Sequence, residues 1–286
     1  MSVAFSVVVP FHNAERHVER CVRALLNQSY PSSRYEIIMV DNNSRDASAD
    51  IVRAHSRIGL VSESKRGAYA ARNRGIVEAS GAIVAFTDPD CVPAPDWLHE
   101  LESAMLDETV GIVVGSHAFA SDSHPLGLLA AYENAKKAYV YDRGMVSAYY
   151  GHANNMAIRT WLLEREGGFV ETMRGSDTVF IRRCAERYAP HIVRYHRQAR
   201  VRHLEIESVR RYLHKVFIYA QSSRRFAPGL SARPLSHRDR VLILKRVFRA
   251  ERYPLAQSAS LSAMLMVGLA CWFAGGVKAE WTRWRR

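Results

Sequence analysis

The sequence predicts an α/β protein: a mostly parallel, doubly wound sheet flanked by helices, with a helical, basic C-terminal extension. Two observations predict the sheet. Short apolar runs alternate three times with segments of helical periodicity, which is typical of parallel strands joined by helices. Polar clusters stand where the apolar runs stop, at residues 12–13, 41–43, 66–67 and 88–90. Because ligands bind at the carboxyl ends of the strands in such sheets, these clusters predict one binding site.

The first third of the chain supplies the predicted strands and helices in alternation. The strands are predicted at residues 4–10, 35–40, 58–61 and 82–86. The fourth strand is apolar throughout, so we expect both of its faces to be buried. Helices are predicted around residues 18–26, through residues 51–52, and over the Ala-rich segment 67–79.

Composition indicates a globular chain with a basic end. Of the 286 residues, 48% are hydrophobic and 24% charged, which argues against a disordered chain. We predict an α/β domain at residues 1–205 and a helical, basic region at 206–286. The formal net charge is +12, and much of the excess falls after residue 209. No RNA-recognition, zinc-finger or helix-turn-helix pattern accompanies it, so an anionic membrane surface is favoured over nucleic acid.

The C-terminal region carries the membrane prediction. Apolar and basic residues alternate over residues 240–249 at the spacing of an amphipathic helix, and residues 255–277 contain no charge. That stretch is long enough to span a bilayer, but its serines and glycines favour a helix or hairpin lying at the membrane surface. The alternative is a helix packed on the domain or on a second subunit. Pro228-Gly229 and Pro234 are expected to break this region.

Asp88-Pro89-Asp90 follows the fourth strand directly. Two carboxylates one residue apart suit Mg²⁺ or Mn²⁺ bound to a diphosphate, whereas the simpler interpretation is a solvated turn. The chain lacks both GxGxxG after the first strand and GxxxxGK[ST], which excludes an NAD-type fingerprint and a P-loop. Its four cysteines form no CxxC pair, which argues against a zinc or disulfide framework and fits a reducing cytosol.

Five motifs follow one another along the chain. They are the opening strand at residues 6–13, the second strand end at 40–46, the G-x-x-x-A-R-N-x-G helix at 67–75, Asp88-Pro89-Asp90, and the segment 151–183 with Gly167-Gly168-Phe169 and Gly175-Ser176-Asp177. In their order and spacing these motifs resemble family 2 glycosyltransferases, and the resemblance covers about residues 3–205. Asp88-Pro89-Asp90 stands at that family's Asp-x-Asp position, and residues 151–183 resemble its acceptor-side half.

The resemblance implies a GT-A fold and transfer of a sugar from a nucleotide sugar, with inversion at the anomeric carbon. It implies that Asp177 is the catalytic base and that Asp90, with His203, holds Mn²⁺ or Mg²⁺. Arg66 and Arg72 are also candidates for phosphate contact on charge alone. The residues expected to bind the nucleotide sugar are Pro10, His12, Asn13, Asp41, Asn43, Arg66, Arg72 and Asp88.

Two positions depart from the family pattern. Asn42 stands where the family commonly has a second Asp, and Ser176 stands where it commonly has Glu before the catalytic Asp. We predict a UDP-sugar donor, a glycan or lipid-linked acceptor, no nucleic-acid partner, possible oligomers, and a cytoplasmic location at the inner face of the cell membrane. The alternatives are a nucleotidyltransferase on the same kind of sheet, or a non-catalytic protein that binds membranes or anionic polymers.

Overall fold

The structure is a computed structural model that describes residues 3–120, 123–171, 174–226 and 235–284. The chain groups into two compact units. Unit 1 comprises Met1–His117 and Tyr149–Leu204, and unit 2 comprises Ala118–Ala148 and Glu205–Arg286. The predicted chain breaks at Pro228-Gly229 and Pro234 lie outside the described residues. The division into domains at residues 1–205 and 206–286 stays a prediction.

The strands of the described residues are β1 Phe5–Phe11, β2 Tyr35–Asp41, β3 Gly59–Ser62, β4 Ile83–Thr87, β5 Cys91–Pro93, β6 Ile112–Phe119, β7 Asn155–Arg159 and β8 Val193–His203. They form one sheet in the order β3-β2-β1-β4-β7-β6-β8-β5. β1 pairs in parallel with β2 and β4, and β2 pairs in parallel with β3. The four predicted strands are therefore present, and β4 is buried along its whole length as expected.

Ten α-helices lie within the described residues. Their bounds are α1 Val18–Leu26, α2 Ser48–Arg53, α3 Ala68–Glu78, α4 Trp97–Ala104, α5 His124–Asp142, α6 Thr160–Glu166, α7 Ser176–Tyr188, α8 Val209–Phe226, α9 His237–Glu251 and α10 Leu255–Trp284. The helices predicted between the first four strands correspond to α1, α2 and α3.

The second half of the sheet differs from the regular parallel pattern. β7 pairs antiparallel with both β4 and β6, and β5 pairs antiparallel with β8. β5 is only three residues long and follows Asp90 directly, so the carboxylate turn leads into a short strand. The prediction of a mostly parallel sheet flanked by helices is confirmed, with this antiparallel part added.

Close packing fixes α3 against the sheet. A Cβ on Gly75 would lie 2.3 Å from Cγ1 of Val8, so only glycine lets the helix approach β1 this closely. Val8 is fully buried. The glycine that closes the A-R-N-x-G motif therefore sets the distance between α3 and the strand that leads to the site.

Unit 2 contains one long apolar helix. α10 packs against α8, and its buried Gly268 and Gly275, seven residues apart, lie next to Leu213 and Phe217 of α8. A Cβ on Gly275 would lie 2.4 Å from the carbonyl oxygen of Phe217, so the two helices are in close contact there. Of the two expected forms, a helix or a hairpin, the structure has the helix, since Leu255–Trp284 is continuous.

Much of the apolar surface of α10 is not covered by the described residues. Its exposed large side chains are Leu255, Met266, Val267, Trp272, Phe273, Val277 and Trp281. By length and composition alone, Leu255–Trp281 is apolar enough to cross a membrane. Core helices of soluble proteins also pass that test, but they are mostly buried, and this segment is mostly exposed.

Candidate active site

The predicted polar clusters meet at one edge of the sheet. The register pairs Phe11 of β1 with Asp41 of β2, and Val8 of β1 with Phe86 of β4. Since these strands run parallel, their carboxyl ends lie side by side. The loops that begin at His12, Asn42 and Asp88 therefore leave the sheet at the same edge.

The first two loops are joined by side-chain hydrogen bonds. His12 Nδ1 lies 2.9 Å from the carbonyl oxygen of Asn42. The Asn13 backbone N–H donates to Ser44 Oγ at 3.1 Å, and Asn13 Oδ1 accepts from the Arg45 N–H at 2.8 Å. Asn13 and Asn43 have φ angles of 48° and 64°, a left-handed conformation that Asn tolerates better than most residues. Both side chains remain exposed at the predicted nucleotide-binding edge.

The departure at Asn42 has a structural explanation. Its buried amide donates to the carbonyl oxygens of Glu63 and Lys65, at 2.9 and 2.8 Å. Its Oδ1 accepts from the Gly67 N–H at 2.8 Å. A carboxylate could not donate either of the first two bonds. Asn42 thus holds the segment that leads into α3.

Other predicted donor-binding residues fall around this loop. Asp41 Oδ1 accepts from the Ser44 N–H at 2.9 Å. The amide of Asn43 donates to the carbonyl oxygens of Glu63 and Ser64. Arg66 is exposed, and Pro10 is buried at the end of β1. Their predicted roles at the donor stay predictions.

Asp88 forms an ion pair with Arg72 from α3. The Arg72 side chain is 6% exposed and that of Asp88 28%. Burial disfavours the charge of Arg72, but Asp88, with Tyr69 and Asp177, raises its pKa above the ordinary value. Burial also raises the pKa of Asp88, an effect that Arg72 opposes. In this structure the Arg72 guanidinium is therefore paired with the Asp88 carboxylate. This pairing is compatible with a position of both side chains beside a diphosphate.

Asp90 and His203 lie together at the start of β5 and the end of β8. Asp90 Oδ2 is 3.4 Å from His203 Nδ1, and the Leu204 N–H donates to the Asp90 carbonyl oxygen at 2.7 Å. His203 is 7% exposed. A carboxylate oxygen and an imidazole nitrogen suit Mn²⁺. They suit Mg²⁺ less well, because Mg²⁺ prefers oxygen ligands. The structure therefore brings both predicted metal ligands together, and their donor atoms fit the predicted ion.

Asp177 occupies the first turn of α7, just after Gly175 with its positive φ of 83°. It is 7% exposed. Its Oδ1 accepts from the Tyr69 hydroxyl at 2.8 Å and from the Thr178 N–H at 2.9 Å, and its Oδ2 accepts from the Ala153 N–H at 3.0 Å. The carboxylate is therefore held in one orientation, with Oδ2 less engaged than Oδ1.

Sequence reasoning missed Tyr69. It lies three residues before Arg72, so both project from the same face of α3. The Arg72 guanidinium carbon is 5.1 Å from the Tyr69 ring centroid. Burial, followed by the charge of Asp177, raises the pKa of Tyr69, so its hydroxyl stays a hydrogen-bond donor. One helix face thus contacts Asp88 through Arg72 and Asp177 through Tyr69.

Asn73 fastens the Gly167-Gly168-Phe169 motif to the same helix. Its amide donates to the Phe169 carbonyl oxygen at 2.8 Å and accepts from the Phe169 N–H at 2.9 Å. Gly168 has a φ of 68°, and a Cβ there would lie 2.8 Å from Asn73 Oδ1. These contacts join the A-R-N motif to the Gly-Gly-Phe motif.

Comparisons with known proteins assign the family. The model of "Glycosyl transferase family 2" matches residues 6–159, which is more than half of the chain. Glycosyltransferase AglE of Haloferax volcanii is 38% identical over 131 residues, covering 44% of this chain and 42% of AglE. The putative teichuronic acid biosynthesis glycosyltransferase TuaG of Bacillus subtilis is 30% identical over 152 residues, covering 51% of this chain and 58% of TuaG. The matched part thus spans about half the length of these relatives.

Solved structures show the same fold. The mannosyltransferase PcManGT from Pyrobaculum calidifontis, in complex with GDP-Man and Mn²⁺, has a TM-score of 0.66 at 22% identity, covering 99% of this chain and 88% of that one. S. aureus TarS 1-349 in complex with UDP-GlcNAc has a TM-score of 0.53 at 15% identity, covering 94% of this chain and 81% of that one. The predicted GT-A fold is confirmed, and the chain belongs to glycosyl transferase family 2.

Proposed function

We propose that the protein is a metal-dependent, inverting glycosyltransferase that moves a sugar from a nucleotide sugar to a hydroxyl acceptor. The observation that carries the proposal is the face of α3. Through Arg72 and Tyr69, this face contacts the carboxylate turn of the predicted donor side and the predicted base, Asp177. Inverting transfer needs both groups within reach of one sugar.

The donor proposal rests on the loops after β1 and β2. One oxygen of Asp41 accepts from Ser44, which leaves the other for a base N–H. A carboxylate suits the imide N–H of uracil, and we propose UDP as the nucleotide. Solved structures of the same fold were obtained with GDP-Man and with UDP-GlcNAc. A thermal-shift series of UDP, GDP, dTDP and CTP with Mn²⁺ tests the choice. Stabilisation by GDP and not by UDP would contradict it.

Asp90 and His203 would hold the divalent ion. When bound there, the ion neutralises charge that develops on the leaving diphosphate. Mn²⁺ is present in the PcManGT complex. The chain's own part is to present one oxygen and one nitrogen donor, with the Asp90 backbone fixed by the Leu204 N–H. Beside them, Arg72 pairs with Asp88 and opposes the rise in the pKa of that carboxyl that burial causes.

Asp177 would remove the proton of the acceptor. The acceptor oxygen attacks the anomeric carbon, its proton passes to a carboxylate oxygen of Asp177, and the bond from the anomeric carbon to the diphosphate oxygen breaks. The diphosphate leaves with the electron pair. Oδ2 is the better placed atom, because it accepts one hydrogen bond and Oδ1 accepts two. Tyr69 and Thr178, which donate to Oδ1, and Ala153, which donates to Oδ2, hold the carboxylate in one orientation.

Replacing the base tests the proposal directly. Asp177→Asn keeps the shape and should lower the transfer rate by about 10²–10⁴-fold, the usual contribution of a general base. Binding of UDP with Mn²⁺ should stay near the wild-type value. Asp107→Asn, which removes an exposed carboxylate paired with Arg194, is the control and should transfer normally. Near-normal turnover of Asp177→Asn would rule out its role as the base.

The family match favours transfer over the alternative of a nucleotidyltransferase. The two differ in a simple product assay. A nucleotidyltransferase consumes a nucleoside triphosphate and releases pyrophosphate, whereas the proposed enzyme consumes a nucleotide sugar and releases a nucleoside diphosphate. A non-catalytic binder would do neither, and Asp90→Ala would leave its function intact.

We also propose that the protein works at the cytoplasmic face of a membrane, on a glycan or lipid-linked acceptor. Exposed apolar side chains of α10 and the basic side chains of α9 support this proposal. Basic residues next to an apolar helix are attracted to anionic lipid. The free thiols at all four cysteines are compatible with a reducing compartment.

A further inference from the structure

A third possible metal ligand lies beside the Asp90–His203 pair. Cys91 Sγ is 3.7 Å from Asp90 Oδ1. One ligand atom from each of Asp90, Cys91 and His203 lies within 4.8 Å of the other two. Within the described residues, these three form the group of three or more His, Cys, Asp or Glu side chains that could hold one metal ion. The Cys91 thiol is therefore one member of a cluster of three metal donors.

The sheet register explains why the thiol faces the same way as the imidazole. Cys91 and His203 are directly paired in the antiparallel ladder of β5 and β8. Side chains of directly paired residues project from the same face of a sheet, with Cβ atoms about 4.5–5.5 Å apart. Asp90 precedes Cys91 and reaches His203 with its other oxygen. A one-residue slip of either strand would turn its donor to the other face of the sheet, so the register holds Cys91 and His203 together.

The donor chemistry differs from that of an all-oxygen site. Carboxylate, carbonyl and water ligands suit Mg²⁺ and Mn²⁺, whereas a thiolate selects softer ions. A Cys, a His and a carboxylate are each ligands of Zn²⁺ in proteins, commonly in tetrahedral sites. Three protein donors would leave the fourth position open.

We propose that Cys91 turns the Asp90–His203 site into a three-donor site for a thiophilic divalent ion of the Zn²⁺ class, which competes with Mn²⁺ or Mg²⁺. Binding forms a bond between the metal and Cys91 sulfur and releases the thiol proton to solvent, without oxidation or reduction. Zn²⁺ therefore inhibits transfer by occupying the position of the harder ion. The inference rests on the metal site of the proposed function.

Cadmium absorbance is the first measurement. The full-length protein, carrying Cys271→Ser to remove the partly exposed thiol of α10, is titrated with Cd²⁺ in the absence of nucleotide. A thiolate-to-cadmium charge-transfer band should appear at one equivalent and be missing in Cys91→Ser and Cys91→Ala. Cys21→Ser is the matched control and should keep the band. Cys21 is also fully buried and lies under the same turn, with its Sγ 3.5 Å from the Asp88 carbonyl oxygen.

Competition with Mn²⁺ is the second measurement. Paramagnetic resonance reports free Mn²⁺ as Zn²⁺ is added to the Mn²⁺-loaded protein. In Cys91→Ser the preference for Zn²⁺ over Mn²⁺ should fall by at least about tenfold, while Mn²⁺ affinity itself changes little. An unchanged preference in a variant that still binds Mn²⁺ would overturn the proposal.

The outcomes separate this inference from the proposed function. If Mn²⁺ binds and Asp90→Asn abolishes that binding, the metal site stands. If Cd²⁺ then gives no thiolate band in the Cys271→Ser protein, or gives the same band in Cys91→Ser, the role of Cys91 is wrong. If Asp90→Asn abolishes the binding of neither Mn²⁺ nor Cd²⁺, or if neither ion binds at all, the metal site and the inference fail together.

Discussion

Two regions of the molecule depart from ordinary burial in opposite directions. In unit 1, the surroundings of α3 bury ionisable groups: Arg72, Asp177 and His203 are each less than a tenth exposed. In unit 2, α10 carries large apolar side chains that are mostly exposed, with Met266 67% and Phe273 60% exposed. Charged groups are rarely buried without partners, and apolar patches of this kind are rarely left exposed without a reason.

The two regions differ in whether the chain supplies partners for the unusually buried or unusually exposed side chains. Arg72 has Asp88, Asp177 has Tyr69 and two backbone N–H groups, and His203 has Asp90. The chain itself therefore supplies partners for these buried ionisable groups. The described residues of unit 2 offer no such cover for the outer face of α10. The first region is explained by the fold, and the second calls for a cover beyond the described residues, which we propose is a membrane.

The largest expected effect tests the second region. The double variant Trp272→Ala/Phe273→Ala should weaken binding to vesicles containing anionic lipid by about 3 kcal/mol, or roughly a hundredfold, because two large apolar side chains no longer leave water. Co-sedimentation with vesicles measures it. Val77→Ala/Leu106→Ala removes two apolar side chains of unit 1 that are more exposed than Trp272 and Phe273, and this variant should bind as wild type.

Unchanged binding of the α10 double variant would contradict the membrane proposal. The apolar face would then be covered in another way. If the double variant instead changed the oligomeric state in analytical ultracentrifugation, a second copy of the chain would be its partner.

The next effect tests the compensation inside unit 1. Arg72→Met should lower the free energy of unfolding by about 2–3 kcal/mol, since it leaves Asp88 without its charged partner. The estimate stands below that for a fully buried pair because Asp88 is 28% exposed. Denaturant unfolding measures it. Arg74→Met breaks an exposed pair with Glu78 on the same helix and should cost less than about 1 kcal/mol. Equal losses in the two variants would mean that burial of the pair has no special importance.

The smallest effect concerns the orientation of the proposed base. Tyr69→Phe removes one hydrogen bond to Asp177 and should lower kcat about tenfold, equivalent to about 1.4 kcal/mol, with little change in UDP binding. Combined with Asp177→Asn, it should cause no further loss, because both variants act through one carboxylate. Steady-state kinetics of the single and double variants give the answer.

Tyr30→Phe supplies the matched control for that experiment. Tyr30 also donates to a carboxylate, that of Glu102, at 2.7 Å. The variant should lose similar stability and keep its rate. If Tyr69→Phe and Tyr30→Phe had the same kinetics, Tyr69 would have a structural role alone.

The sequence allowed the parallel half of the sheet and its polar edge to be predicted, because strands and helices there alternate at short range. The meeting of His12, Asp41 and Asp88 followed from parallel pairing alone. The antiparallel half was not predictable in the same way. Its key pairing joins Cys91 to His203, more than a hundred residues apart, and no local pattern encodes that register.

Tyr69 was missed for a different reason. In an Ala-rich helix a tyrosine is interpreted as ordinary packing, and its hydroxyl partner lies 108 residues later in the chain. The spacing of three from Arg72 was the available signal, because it places both side chains on one helix face. Asn42 was treated as a departure from the family pattern, whereas its amide supplies hydrogen bonds that an acid could not make.

α3 also sets a limit on how the sequence can vary. Four contacts depend on its register: Tyr69 with Asp177, Arg72 with Asp88, Asn73 with Phe169, and Gly75 with Val8. Inserting or deleting a single residue rotates everything beyond that point by about 100° around the helix axis. Such a change within residues 69–75 would separate at least one of these contacts from the others. We therefore expect this segment to tolerate substitutions at its exposed positions, such as Arg74, far better than any change in its length.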